Sequence, residues 1–243
     1  MMHNPTSTLH FGLLHALRHR HHSAIQPVTP HARRTHFTPT SWTVVLVDDG
    51  SNDDPRQILR GIDPEHTQLL NQSHAGTTAA WNRGAAAATT PYLVFLNNDT
   101  LTTGPWIADL IAPLQSRTTL ISGIRFRRET SLPDRVQSRL PTDTFLEGWC
   151  FALARTTFLD LGGFDESLAL YYSDTDLQAR ALQHDETLAL IAAPDLPIHH
   201  LRHRTTRHAV KPTDRRTRWQ RDRQRFINKW KPTEPKQDAE LTR

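Results

Sequence analysis

Two short apolar runs, each closed by a polar and acidic cluster, constrain this chain more than any other feature. Thr43-Val-Val-Leu-Val47 runs into Asp48-Asp49-Gly50-Ser51, and Tyr92-Leu-Val-Phe-Leu96 runs into Asn97-Asn98-Asp99-Thr100. A continuous run of β-branched and aromatic residues, with no alternating polar face, marks a strand buried on both sides. Between them, Ala79–Ala88 is Ala-rich and reads as a helix. Trp106, Ile107, Leu110, Ile111 and Leu114 then recur with helical spacing. Leu120-Ile121 suggests a short strand, Phe145–Arg155 a longer one carrying Gly148, Asp174–His184 a helix and Leu188–Ala193 a strand. Trp219, Phe226, Ile227 and Trp230 share one face of a final basic helix. Strands alternating with helices predict an α/β, doubly wound, mainly parallel sheet, with ligands outside the carboxyl ends of the strands.

Composition narrows the class. With 243 residues, 37% of them apolar, the chain has enough for the core of one domain or at most two small ones. No window approaches the roughly 18 consecutive apolar residues of a membrane-crossing helix. The single cysteine, Cys150, speaks against a disulfide framework or a Cys-based zinc site and reads as a buried small hydrophobe.

Charge divides the chain in three: a basic, His/Arg-rich segment over residues 1–40, an acidic body over 41–210, and a basic helix and tail over 211–243. Residues 1–40 hold four Arg and no acid, and residues 202–243 carry a net charge of +9. Such ends suit anionic lipid head groups, phosphorylated ligands or nucleic acid. The acidic body and the lack of a nucleic-acid reading motif point away from nucleic acid. Leu9, Leu13, Leu14 and Leu17 fall on one helical face, so their spacing predicts a short amphipathic helix. His10 and His15 interrupt that stretch too often for an export signal, so the expected location is cytoplasmic. The Arg-rich, acid-free composition also resembles an organellar transit peptide or an irregular extension. The tract His19–His22 reads as a metal-binding run or, more simply, as a fortuitous one.

Three acidic clusters carry the chemical interest: Asp48-Asp49, Asp99 and Asp174-Thr175-Asp176. The first two follow strands and would converge on one crevice. Converging carboxylates repel unless a proton or a cation lies between them. A hard divalent cation that also holds phosphate meets that need. Taken singly, Asp-Asp-Gly-Ser reads as a turn and Asp174 as a helix cap.

In order along the chain, these segments resemble family-2 glycosyltransferases of the GT-A fold. Val44-Val-Leu-Val-Asp-Asp-Gly-Ser-Asn-Asp53 looks like that family's nucleotide-binding segment, and Gly76–Gly84 like its Gly/Asn segment. Tyr92–Asp99 is similar to the strand leading into its DXD motif, with Asn97-Asn98-Asp99 in the motif's place. Gly162–Glu166, followed by Asp174–Leu177 and Arg180, resembles the acceptor-side signature, and Phe226–Trp230 a common ending. The resemblance covers about residues 43–230.

It implies an inverting, metal-dependent, hexosyltransferase-like enzyme of glycan or cell-envelope polysaccharide synthesis. The donor would be a UDP-, GDP- or dTDP-sugar and the acceptor a glycan or lipid-linked hydroxyl. The implied donor-binding residues are Asp48, Asp49, Gly76, Asn82, Asn97 and Asn98. Asp99 would hold Mg²⁺ or Mn²⁺ together with His200, with His199 as the alternative histidine. Asp174 would be the general base, and Gly148, Trp149 and Asp176 would face the acceptor. Trp149 reads equally as a sugar-stacking surface and as core. Asn97 replaces the first carboxylate of the strict motif, and Ser173 stands where the family commonly has Glu before the base. The basic final helix would give peripheral contact with the inner face of a membrane.

One departure stands out. The family's first strand, with its base-holding segment, is not recognisable, and Leu9–Leu17 reads as the helix that should follow it. Three explanations are open: a start too far downstream, a decayed copy, or an irregular replacement around Ser23–Val28. The missing strand supports an alternative function, a truncated, catalytically inactive GT-A domain acting as a binding or vestigial protein.

Overall fold

The computed structural model describes residues 11–17, 42–51, 56, 64–97, 99–116, 118–201 and 212–231. Asn52, Asp53, Asn98, His19–His22 and Ser23–Val28, singled out above, lie outside the described residues. Among the described residues the main sheet has seven strands, in the spatial order β10-β6-β9-β4-β1-β2-β3. They are β1 (Phe11–Leu17), β2 (Trp42–Asp48), β3 (Thr67–Asn71), β4 (Tyr92–Leu96), β6 (Thr119–Gly123), β9 (Cys150–Ala154) and β10 (Ala189–Ala192). β9 runs antiparallel to both β4 and β6, and the other pairings are parallel. The predicted α/β, mainly parallel architecture is therefore what the chain adopts.

The amphipathic helix expected over Leu9–Leu17 is not formed. Phe11–Leu17 is instead β1, paired on one side with Trp42–Asp48 and on the other with Tyr92–Leu96. The strand that seemed missing is at the centre of the sheet, so residues 1–40 are not wholly irregular. The physical reason is that a short apolar run fits the helical and the buried-strand templates alike, and periodicity alone does not separate them. What decides is the two backbone edges of β2 and β4, whose N–H and C=O groups must be paired once buried.

Alternation along the central strands feeds two cores. Val45 and Val47 of β2, Leu93 and Phe95 of β4, and Phe151 and Leu153 of β9 join one cluster. That cluster is covered by Ala80, Trp81 and Ala85 of α1 (Thr77–Ala87) and by Leu177 and Ala181 of α5 (Ser173–His184). Val44, Val94, Leu96, Cys150 and Ala152 face the other way, against Trp106 and against Leu110 and Ile111 of α2 (Ile107–Ile111). Both faces are covered, as continuous apolar strands require. Cys150 is fully buried, and burial pushes its thiol well above the ordinary range.

The single strand expected over Phe145–Arg155 is split. β8 (Thr144–Leu146) pairs with β7 (Phe126–Arg128) in a separate ribbon, while β9 joins the main sheet. Glu147, Gly148 and Trp149 form the crossing between them. A third pairing joins β5 (Thr100–Thr102) to β11 (Ile198–His200). Short helices α3 (Asp134–Gln137) and α4 (Arg155–Asp160) complete the body.

The final helix, α6 (Pro212–Trp230), docks through Phe226, Ile227 and Trp230 against Leu132, Val136, Phe145, Leu168 and Tyr172. Two buried carboxylates fasten it. Asp222 accepts the backbone N–H groups of Leu170 and Tyr171, at 3.1 Å each. Asp176 accepts from Arg180 Nε at 2.8 Å, from Lys229 Nζ at 3.0 Å and from Trp230 Nε1 at 3.0 Å. Asp176→Ala leaves these donors without their buried counter-charge and should cost about 3–5 kcal/mol. Urea unfolding at neutral pH measures it, and an unchanged midpoint would refute the fastening role.

Candidate active site

Parallel pairing in register sets where the site is. Leu17 of β1 lies beside Asp48 of β2, and His15 beside Leu96 of β4, so the carboxyl ends of these strands share one edge. Cys150 pairs with Leu96, so the residues preceding β9 reach the same edge. The polar clusters after β2 and β4 and the Glu147–Trp149 crossing are thereby brought together.

At the β2 end, Asp48 Oδ1 accepts the Ser51 N–H at 2.9 Å and closes the turn. Gly50 sits in that turn at φ 79°, a left-handed conformation that favours glycine. Asp49 is engaged differently. Its carboxylate accepts from Gln72 Nε2 (2.8 Å), His74 Nδ1 (2.8 Å), Ala75 N–H (2.7 Å) and Gly76 N–H (3.0 Å). Four donors fill the acceptor sites of a carboxylate. Asp49, expected to contact a nucleotide, is thus a clamp between the β2 loop and the start of α1. Burial acts to raise its carboxyl, but the bonds from Ala75, Gln72, His74 and Gly76 outweigh it and hold the group below the usual range. Gly76, also expected at the nucleotide, opens α1 at φ 107° and donates to this clamp.

Asn82 is also committed inside the protein. Its Nδ2 donates to Phe164 O and Glu166 Oε1, both at 2.9 Å, and its Oδ1 accepts the Phe164 N–H at 2.8 Å. It bolts α1 to the Gly162–Glu166 turn rather than facing the strand edge. Asp176 requires the same correction. Expected at the acceptor, it is fully buried beneath α6.

At the β4 end, the Asn97 N–H donates to Trp149 O at 2.8 Å. Asp99 Oδ1 lies 2.9 Å from His200 Nε2, an alignment made by the β5–β11 ribbon, which pairs His200 with Thr100. His199, the alternative histidine, is exposed and alternates away. The His200 ring lies flat on Trp149, with centroids 5.1 Å apart and planes 7° apart. Trp149 is buried, and its Nε1 donates to Glu147 Oε2 at 2.6 Å. Its indole therefore supports His200.

Asp174 lies in the first turn of α5, behind Tyr172, whose φ of 63° is left-handed for a non-glycine residue. A Cβ on Gly148 would lie 2.5 Å from the Cβ of Asp174, so only glycine lets this helix turn approach the crossing. Gln178 fixes the rest of α5, exchanging hydrogen bonds of 2.7 and 3.0 Å with the backbone of Leu146. Gly148 touches Asp174 while Trp149 touches His200, so Asp174 and the Asp99–His200 pair flank one three-residue segment. The Asp174 side chain keeps 17% of its surface exposed. Arg127 of β7 reaches it, with Nη2 3.3 Å from Oδ2.

Sequence reasoning did not find Arg127, His74, Gln72 or Glu147. Arg127 lies 47 residues from Asp174, and no spacing rule connects a strand arginine to a helix turn at that distance. Among the described residues, no group of three or more His, Cys, Asp and Glu is arranged to hold a metal ion.

A family model described as Glycosyl transferase family 2 matches residues 19–176. This chain belongs to glycosyltransferase family 2. The chain is 34% identical over 64 residues to the uncharacterized glycosyltransferase YibD of Escherichia coli (strain K12), a match covering 26% of the chain and 19% of that relative. Its fold is that of GT-A enzymes. It resembles the mannosyltransferase PcManGT from Pyrobaculum calidifontis in complex with GDP-Man and Mn²⁺ (TM-score 0.62, 18% identity). It also resembles GalNAc-T7 with UDP, GalNAc and Mn²⁺ (TM-score 0.61, 17% identity) and S. aureus TarS (TM-score 0.59, 14% identity). These matches cover 79% of the chain in each case, but only 57%, 43% and 36% of the three neighbours.

The clamp predicts a pH dependence. A carboxyl held below its unfolded value adds stability above that value, about pH 4, and loses it as pH falls through the folded value. Asp49→Ala should therefore cost the protein about 1–3 kcal/mol at pH 7, with the gap from wild type narrowing below pH 4. Urea unfolding at pH 7 and pH 3 checks both the size and the sign.

Proposed function

We propose that this protein transfers a sugar from a nucleoside-diphosphate donor to an acceptor hydroxyl, with inversion at the anomeric carbon. The observation that carries the reading is the flanking of one short segment by an accessible carboxylate, Asp174, and by the Asp99–His200 pair. The nucleotide and nucleotide sugar in two neighbours' complexes support a donor of that class.

Asp48, at the end of β2, contacts the base or ribose, with Asn97 beside the diphosphate. Asp49 acts through the loop it clamps. One carboxylate and one imidazole, held 2.9 Å apart with 10% and 14% of their surfaces exposed, suit a hard divalent cation that keeps other ligand positions for phosphate. Asp99 and His200 would hold Mg²⁺ or Mn²⁺, which supplies neutralisation of the charge gathering on the departing diphosphate.

The acceptor approaches Asp174 from the crevice at the strand ends. Its hydroxyl oxygen bonds to the anomeric carbon as its proton passes to Asp174 and the bond to the diphosphate oxygen breaks. A single displacement inverts configuration. The reading as an inactive fragment rested on a missing strand, and β1 removes that ground.

Asp174→Asn should lower turnover about 10²–10⁴-fold. It should leave intact the rise in unfolding temperature that Mn²⁺ with UDP, GDP or dTDP produces in wild type. A hundredfold excess over Kd is worth about 2.7 kcal/mol of stability. A wild-type protein stabilised by none of the three would sink the proposal.

The acceptor is a glycan or lipid-linked hydroxyl at the inner face of a membrane. Supporting this, α6 exposes Arg216, Arg221 and Arg225, although Arg221 also pairs with Asp222 and Arg225 also donates to Ser167 O. Wild type should float with anionic but not neutral liposomes, and neutralising these arginines should abolish flotation. Equal flotation of the variant overturns it.

A further inference from the structure

We infer that Arg127 is a positioning residue that aims the Asp174 carboxylate, as the last member of a hydrogen-bonded ring joining the residue before α5 to the helix's first turn. The inference rests on the proposed role of Asp174 as base.

The ring can be followed atom by atom. Ser131 Oγ donates to Glu129 Oε1, and so must accept from Tyr172 Oη, 2.7 Å away. The Ser131 N–H donates to the same Glu129 oxygen at 2.9 Å. Glu129 Oε2 accepts from Arg127 Nη1 at 2.9 Å. Arg127 Nη2 donates to Thr175 Oγ1 at 2.6 Å and to Asp174 Oδ2 at 3.3 Å. The path leaves α5 at Tyr172 and returns at Asp174 and Thr175.

Three observations set this ring apart from ordinary surface pairing. Glu129 is buried, and hydrogen bonds from Ser131 and Arg127 outweigh the effect of burial and hold its carboxyl below the usual range. The charge of Asp174 in turn pushes the Arg127 guanidinium up, against burial and together with Glu129. Tyr172 keeps a left-handed backbone at φ 63°, which persists only where its surroundings over-determine it. The bond to Ser131, with Phe226 packed 5.2 Å from its ring, supplies that constraint.

The consequence for Asp174 is directional. The Gly148 backbone closes one side of its carboxylate. Arg127 engages Oδ2, while among the described residues no hydrogen bond engages Oδ1. Oδ1 is therefore the oxygen that takes the acceptor proton. A guanidinium can serve Glu129 with one nitrogen and Asp174 and Thr175 with the other because its donors form a planar fork, which an ammonium lacks.

The test uses the whole 243-residue chain. Arg127→Ala should lower kcat about 10²-fold, the scale of a misplaced catalytic group. The donor KM and the unfolding-temperature rise with Mn²⁺ and nucleotide should stay within about twofold and unchanged, respectively, because the donor side is not part of the ring. Added guanidinium ion should restore part of the lost kcat. A crystal structure of the variant should show the Asp174 carboxylate displaced. Wild-type kcat in Arg127→Ala, a rise in donor KM that accounts for the whole loss, or an unmoved Asp174 overturns the inference. If Arg127→Ala does not fold, Arg127→Lys decides: full kcat in that variant overturns it, and a loss with retained donor response supports it. Absence of transfer in wild type would refute the proposed function, while the position of Asp174 in the variant structure would still judge the ring.

Discussion

β1 is hydrogen-bonded along both edges, to β2 and to β4, and the position of each strand-end residue follows from that pairing. A central strand cannot be omitted from a parallel sheet without leaving two rows of buried N–H and C=O groups unpaired. With it in place, the polar clusters that end β2 and β4 fall on a common edge. In doubly wound sheets the crevice that takes ligands lies outside the carboxyl ends of the strands. The antiparallel β9 adds the Glu147–Trp149 crossing to the same edge from the opposite direction.

The crossing is where backbone geometry becomes chemistry. Gly148 has no side chain, and Asp174 occupies the space a Cβ would need. One residue further, Trp149 offers a flat surface to His200, and its carbonyl accepts from the loop after β4. Three consecutive residues therefore set the spacing between the two halves of the site. A larger residue at position 148 would act on the helix that carries the base, at the cost of displacing α5.

The carboxylates divide by how many donors the fold supplies. Asp49, Asp176 and Asp222 are buried and accept several bonds each, joining loop to helix or helix to body. Such groups are fully occupied, and their charge serves stability. Among the described residues, Asp48 accepts one hydrogen bond, from the Ser51 N–H, and Asp174 one, from Arg127, with 17% of the Asp174 side chain exposed at the strand edge. In a protein with several Asp pairs, this accounting of donors marks Asp49, Asp176 and Asp222 as structural acids, where adjacency in sequence does not. Asp174 and Asp176 lie two residues apart, about 200° around a helix, so one faces the crossing and the other faces α6.

Much was legible from sequence because it is local. Continuous apolar runs announce buried strands, the Ala-rich stretch announces a helix that packs closely, and polar clusters at strand ends announce the crevice. The order of these pieces along the chain carried the family and the fold. Three kinds of fact were not local. Whether Phe11–Leu17 is a helix or a strand depends on the unpaired edges of β2 and β4, which lie elsewhere in the sequence. Whether Phe145–Arg155 is one strand or two depends on which ribbon each half finds. The partners of Asp49, Asn82, Asp174 and Asp176 are met only in the folded chain, Arg127 of β7 among them. By itself the sequence determined most element types, outside Phe11–Leu17 and Phe145–Arg155, and the residues available for chemistry, since those follow from propensity and periodicity. Tertiary structure alone decided which acids are satisfied, because a carboxylate's role is set by the donors around it, and those come from distant segments.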